Sequence, residues 1–167
     1  TVSSTSASSS SLPASIPPLR TPLFVYDERA LEAAAAELDI LRQRGAVDTI
    51  FYAMKANSHP RILQLLFRWG FGFECVSPGE VRALRRLFTT EQLAPERILF
   101  TPNFAPRSEY EEALSAGGSM VTVDNAFPLE QWGAEVFRGR SILLRLDPGQ
   151  GHGHHKHVRT AGRLSKF

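Results

Sequence analysis

The stretch Phe51-Tyr52-Ala53-Met54-Lys55-Ala56-Asn57 places a single lysine at the end of a short apolar run. The run predicts a strand over 50–55. A lysine at the last inward-facing position of a buried strand is costly as a cation. Burial disfavours the ammonium and favours the neutral amine. A neutral amine is the nucleophile that forms a Schiff base with an aldehyde. The other reading of the same residue is a strand-end lysine whose stem lies on apolar surface and whose amine reaches solvent. Polar groups recur where later apolar runs finish: Glu74 with Ser77, Thr101 with Asn103, Asp124 with Asn125, and Arg145 with Asp147. Asn103 and Asp124-Asn125 also suit turn chemistry. Lys55, Glu74 and Arg145 have no such account, because each directly follows or interrupts an apolar run.

A second cluster is His152, His154, His155 and His157. On an extended backbone His155 and His157 share one face, and His152 and His154 the other. Such pairs capture zinc or nickel loosely. With no cysteine or Glu-x-x-His companion, the spacing does not predict a resident metal. Cys75 is the only cysteine, which excludes an internal disulfide and suits a reducing compartment such as the cytoplasm.

These groups must be positioned by regular elements. Leu23-Phe24-Val25-Tyr26 predicts a strand, and Asp27 a cap for a helix over about 28–44 that Gly45 stops. After the lysine strand, Ser58 is expected to cap a helix carrying Ile62, Leu65, Leu66 and Trp69. A strand over 71–76 follows. Ser77-Pro78-Gly79-Glu80 then has capping-box spacing, which gives Glu80 a structural role. Further strands are expected over 97–101, 120–123 and 141–146. Helices between them are expected from Ser108, in a second capping box with Glu111, and over about 126–136. Trp69, Trp132 and Cys75 suit core positions. Strand–helix alternation at roughly 20–26 residues per unit argues for parallel strands with helical crossovers. Alternation alone leaves open a barrel or an open doubly wound sheet. Polar residues gathered at the finishing ends of five strands favour a βα-barrel, where that rim carries chemistry.

The 167 residues suffice for one domain with a core. Hydrophobic content is 43%, charged content 22%, and the formal charge +2, from 19 basic and 17 acidic residues. That balance argues against nucleic acid or an anionic membrane as partner. No apolar run approaches the ~18 residues of a membrane-spanning helix. Residues 1–20 are rich in Ser, Ala and Pro and carry almost no charge, so they are expected to be a disordered linker or tail. The folded part is expected to occupy 21–167.

Tyr52-Ala53-Met54-Lys55-Ala56-Asn57 resembles the cofactor-lysine motif of the pyridoxal-phosphate-dependent ornithine/diaminopimelate/arginine decarboxylase family. Gly72-Phe73-Glu74-Cys75-Val76-Ser77-Pro78-Gly79-Glu80 resembles that family's second-strand motif, with Glu74 standing where aspartate is usual. Leu143-Leu144-Arg145-Leu146-Asp147-Pro148-Gly149 is similar to the fifth-strand motif, and 160–167 to the segment before the sixth strand. Thr101-Pro102-Asn103-Phe104-Ala105-Pro106, Gln131-Trp132-Gly133 and 153–160 point to the diaminopimelate decarboxylase branch. They point in particular to forms fused behind an aspartate kinase, which the Ser/Ala/Pro-rich start also suits.

The resemblance implies a partial (β/α)8 TIM-like barrel of the alanine-racemase kind. About five βα units are present, and the C-terminal β-domain is absent. It implies pyridoxal 5'-phosphate as cofactor, held covalently by Lys55 as the catalytic lysine. Glu74 and His154 are implied beside the cofactor, and Arg145 near its phosphate. The implied reaction is loss of carbon dioxide from meso-2,6-diaminopimelate to give L-lysine, with a homodimer as the working form. The later strands, the phosphate loops and the β-domain that complete a family site are not in this sequence, so the segment alone is expected to be inactive. Alternatives are another barrel enzyme of this kind (ornithine or arginine decarboxylase, or alanine racemase), a non-catalytic relative of the same fold, and a metal-binding protein built on the histidines.

Overall fold

In the computed structural model, the described residues are 20–118, 120–149 and 162. Five strands, β1 (Phe51–Ala53), β2 (Gly72–Cys75), β3 (Ile98–Phe100), β4 (Met120–Val123) and β5 (Ile142–Leu144), form one sheet in the order β1-β2-β3-β4-β5. Every neighbouring pair is parallel. Sequential order settles what alternation left open. A doubly wound sheet reverses direction at a switch point, whereas a barrel adds each strand beside the last. Five helices accompany the strands: α1 (Glu28–Gln43), α2 (Pro60–Arg68), α3 (Pro78–Leu87), α4 (Arg107–Ser115) and α5 (Phe127–Val136).

The helices cover one face of the sheet. Register puts Phe73 beside Ile98, Cys75 beside Phe100, and Phe100 beside Val121. Those residues and Val123 are at most 2% exposed. Phe88, just past α3, stacks on Phe73, and Tyr110 of α4 meets Phe100 edge to face. Each such buried side chain contributes roughly 1.5–3 kcal/mol. The alternate residues Glu74, Leu99, Thr101, Met120 and Thr122 lie on the opposite face, and all are partly exposed. β2, β3 and β4 are therefore sealed on the helix side and open on the other, whereas on β5 Leu144, in register with Val123, is 60% exposed.

The end of the sheet where the strands begin is tied by arginines to backbone carbonyls. Arg42 donates to Trp69 O (2.9 Å) and Gly70 O (3.1 Å) at the end of α2. Arg85 donates to Leu93 O (2.6 Å) and to Gly117 O (2.7 Å) beyond α4. Arg97 donates to Phe71 O (2.5 Å) and lies over the Phe67 ring. These bonds satisfy carbonyls that helix ends and strand starts leave unpaired. Gly70 and Gly117 have positive φ, 78° and 101°. A Cβ there would also strike the Arg42 or Arg85 guanidinium.

Several local expectations change. Leu23–Tyr26 forms no strand; no described segment pairs with it, and Phe24 is 88% exposed. The lysine strand ends at Ala53, because Ala56 N turns back to Ala53 O (3.1 Å). His59, rather than Ser58, caps α2, its Nδ1 accepting from Arg61 N (3.3 Å). α4 starts one residue before Ser108 with no side-chain cap, since Glu111 accepts instead from Arg107 Nε (2.7 Å). The Asp27 cap forms as expected, and the Ser77–Glu80 box forms with the Glu80 carboxylate bonded one residue before the cap amide. Ser77 Oγ accepts from Glu80 N, and Glu80 Oε2 accepts from Val76 N (2.6 Å). Cys75 is buried; Trp69 and Trp132 are partly buried against the core. The tail expected over 1–20 lies, up to residue 19, outside the described residues.

Candidate active site at the strand ends

The finishing ends of the strands bring the candidate residues to one rim. Lys55 stands two residues past β1, in the turn closed by Ala56 N and Ala53 O, and it is exposed. The sequence left open an amine that reaches solvent and one desolvated at an inward strand position. The described residues supply no such burial, because β1 stops short of the lysine and has β2 as its only described neighbour. Met54 keeps the ladder for one more bond, Met54 N to Glu74 O (3.0 Å). Its sulfur packs 3.5 Å from Cys75 Sγ on the helix side. Burial pushes the Cys75 thiol well up, with Glu80 and Glu74 adding to the shift, so the thiol stays protonated and inert.

Glu74 lies on the open face, in register with Ala53 on one side and Leu99 on the other. Its Oε1 accepts a hydrogen bond from Thr101 Oγ1, just beyond β3. Glu is one methylene longer than the expected Asp, and the added reach meets a hydroxyl on the next strand. Arg145 also continues the open face: its backbone N donates to Val123 O (2.9 Å) past β5. Its Nη1 donates to Asn103 Oδ1 (3.2 Å). Asp124, past β4, accepts from Phe104 N through Oδ2 (3.0 Å) and from Asn125 Nδ2 through Oδ1 (2.8 Å).

The segment after β3 is thus a hub. Thr101 is bonded to the β2 carboxylate, Asn103 to the β5 guanidinium and Phe104 to the β4 carboxylate. Phe104 has φ of 48°, a left-handed conformation that a bulky residue adopts only when its surroundings enforce it. The Asp124 bond to its amide supplies that constraint. Phe104 is 68% exposed and lines a cavity of about 450 Å³ with Pro106, Asn125, Phe127 and Trp132. Asp147 accepts from Gly149 N (2.8 Å) and Gly162 N (2.9 Å), so it acts as a turn anchor rather than a rim ligand.

The sheet therefore gathers Lys55, Glu74 and Arg145 at one end, while His154 and the other three histidines of its cluster lie outside the described residues. No group of metal-ligating side chains stands together among the described residues. No described helix is long and apolar enough to cross a membrane. The sequence reading missed two links. Thr101 was placed at the rim without its bond to Glu74. Tyr52, read only as apolar strand, donates through its hydroxyl to Asn57 O (3.1 Å). Thr101 carried a signal in its place one strand along from Glu74; the Tyr52 bond carried none beyond a polar tip on a strand residue.

Residues 29–167 match the family model described as pyridoxal-dependent decarboxylase, pyridoxal binding domain. Among curated proteins, the diaminopimelate decarboxylase of Methanothermobacter thermautotrophicus is 34% identical over 156 residues, covering 88% of this chain and 33% of that protein. That of Streptomyces coelicolor is 34% identical over 149 residues, covering 87% of this chain and 31% of that protein. Among solved structures, diaminopimelate decarboxylase from Helicobacter pylori complexed with L-lysine superposes with a TM-score of 0.70. It is 25% identical and covers 90% of this chain and 38% of that one. The chain spans about a third of the length of the curated relatives it matches.

Proposed function

This chain belongs to the pyridoxal-dependent decarboxylase family as part of its pyridoxal-binding domain, and on that premise we propose that it serves decarboxylation of diaminopimelate to lysine. The observation that carries the reading is that an amine, a carboxylate and a guanidinium stand at the finishing ends of β1, β2 and β5, on one rim of a sequentially ordered parallel sheet. The donor set fits pyridoxal phosphate: Lys55 offers a primary amine to an aldehyde, and Arg145 a cation to a phosphate. When bound, that cofactor supplies an electron sink for the carbanion left as carbon dioxide departs.

The chain's own residues hold and orient. Lys55 would hold the cofactor through its amine, and would hold a proton at Nζ when that amine is free. Glu74 presents an oriented carboxylate, one oxygen of which Thr101 engages. Arg145 is steadied by Asn103. His154 is assigned beside the cofactor on the family resemblance alone. The choice of diaminopimelate over ornithine or arginine is supported by relatives that are 34% identical and carry that name. Release of carbon dioxide by the full-length protein tests it. Diaminopimelate is expected to be turned over at least tenfold faster than ornithine or arginine, and Lys55→Ala to abolish release. Preference for ornithine or arginine refutes the substrate; undiminished release by Lys55→Ala refutes the role of the lysine.

A further inference from the structure

We propose that Tyr52 is the positioning residue for Lys55, its hydroxyl fixing the turn that carries the amine. The inference rests on the reading of Lys55 given above. Strand pairing does not hold this lysine. The last bond from the β1 strand path to β2 is made by Met54, and beyond it Lys55 sits in an exposed turn. A turn past a ladder's end opens locally at little cost unless something else ties it down.

Two ties close on this turn from opposite sides. Tyr52 lies in register with the buried Phe73, so its ring faces the helices, where it packs against the core. From there its hydroxyl reaches past the turn to Asn57 O (3.1 Å), enclosing residues 53–56 between β1 and the residue that ends the motif. Asn57 Oδ1 in turn accepts from His59 N (2.9 Å), and His59 caps α2. The lysine turn is thereby anchored to a strand at one end and to a helix at the other. Burial pushes the Tyr52 phenol up, outweighing the Asn57 bond, and the nearby Tyr26 adds to the rise. The hydroxyl therefore keeps its donor proton at neutral pH.

The test is Tyr52→Phe in the full-length protein, which keeps the ring in the core and removes only the donor. Three quantities are read: amide exchange of residues 54–57, the rate of borohydride trapping of pyridoxal phosphate at Lys55, and the half-saturating cofactor concentration. Exchange is expected to rise about three- to tenfold, the range for one net hydrogen bond. Trapping at saturating cofactor is expected to slow by a similar factor. The half-saturating concentration should stay unchanged and the melting temperature should fall by no more than about a few degrees, a split that loss of general packing does not give. Should Tyr52→Phe lower the melting temperature by more than a few degrees, exchange and trapping measured at equal distance below each protein's melting temperature carry the same comparison. Equal trapping and equal exchange in variant and unmodified protein overturn the inference. Absence of trapping at Lys55 in the unmodified protein overturns the earlier reading as well, and so tells the two failures apart.

Discussion

Thr101→Val tests whether the Glu74 carboxylate is set by its neighbour strand. Valine matches threonine in shape and removes only the hydroxyl that donates to Glu74 Oε1. A hydrogen bond to a charged group contributes roughly 1.5–3 kcal/mol, and the partial exposure of both residues places this one near the lower end. A loss of about 1.4 kcal/mol is tenfold in an opening equilibrium. The reporting amide is Thr101 N, bonded to Cys75 O at 2.8 Å, because it bridges the same two strands. Native-state hydrogen exchange is therefore expected to show about tenfold less protection at position 101 in the valine variant, and near-normal protection in Thr101→Ser. In a cycle with Glu74→Gln, the two changes should couple by roughly 1 kcal/mol, as residues in contact do. Protection unchanged within twofold, with no coupling to Glu74, refutes the claim that Thr101 orients the carboxylate.

Two further predictions concern the scaffold. Tyr110 is fully buried, and its hydroxyl has no hydrogen-bond partner among the described residues. Tyr110→Phe should thus leave stability unchanged or raise it by up to about 1 kcal/mol in thermal unfolding, and a loss above that amount argues for an unseen partner. Burial, with Asp124 adding to it, pushes the Tyr110 phenol from 10.0 up to about 12. Between those values the unfolded chain releases a proton that the folded chain keeps. Stability should fall as pH rises through that window, and fall less steeply in the Phe variant. Arg85→Met removes both donors to Leu93 O and Gly117 O and should cost about 1–3 kcal/mol in unfolding. Arg85→Lys should recover less than half of that, since one ammonium lacks the planar fork that spans two carbonyls.

The parts of the fold carried by periodic apolar residues were legible in the sequence. α2 buries the residues whose helical spacing announced them, including Ile62, Leu65 and Leu66. β4 has the bounds that its apolar run set. The misreadings come from partners that sequence does not display. Leu23–Tyr26 has strand residues and no described strand beside it. Glu111 answers Arg107 instead of the cap expected of Ser108. The rim was legible because apolar runs ended in Lys55, Glu74 and Arg145. The bonds across the rim were not, since Thr101, Asn103 and Asp124 join residues 20 to 42 positions away in the chain. Of the two readings of Lys55, the buried one is not met among the described residues, for a related reason. An inward strand position is dry only when side chains cover that face, and no described residue does so.

The central claim is that Lys55 is the cofactor lysine, and this sequence suits a direct test, because Lys55, Lys156 and Lys166 are its only lysines. The full-length protein is incubated with pyridoxal phosphate, reduced with borohydride and mapped by peptide mass. A phosphopyridoxyl group is expected on Lys55 and on no other lysine of the full-length protein, Lys156 and Lys166 included. Label spread over many lysines, or found on others with none on Lys55, would contradict it.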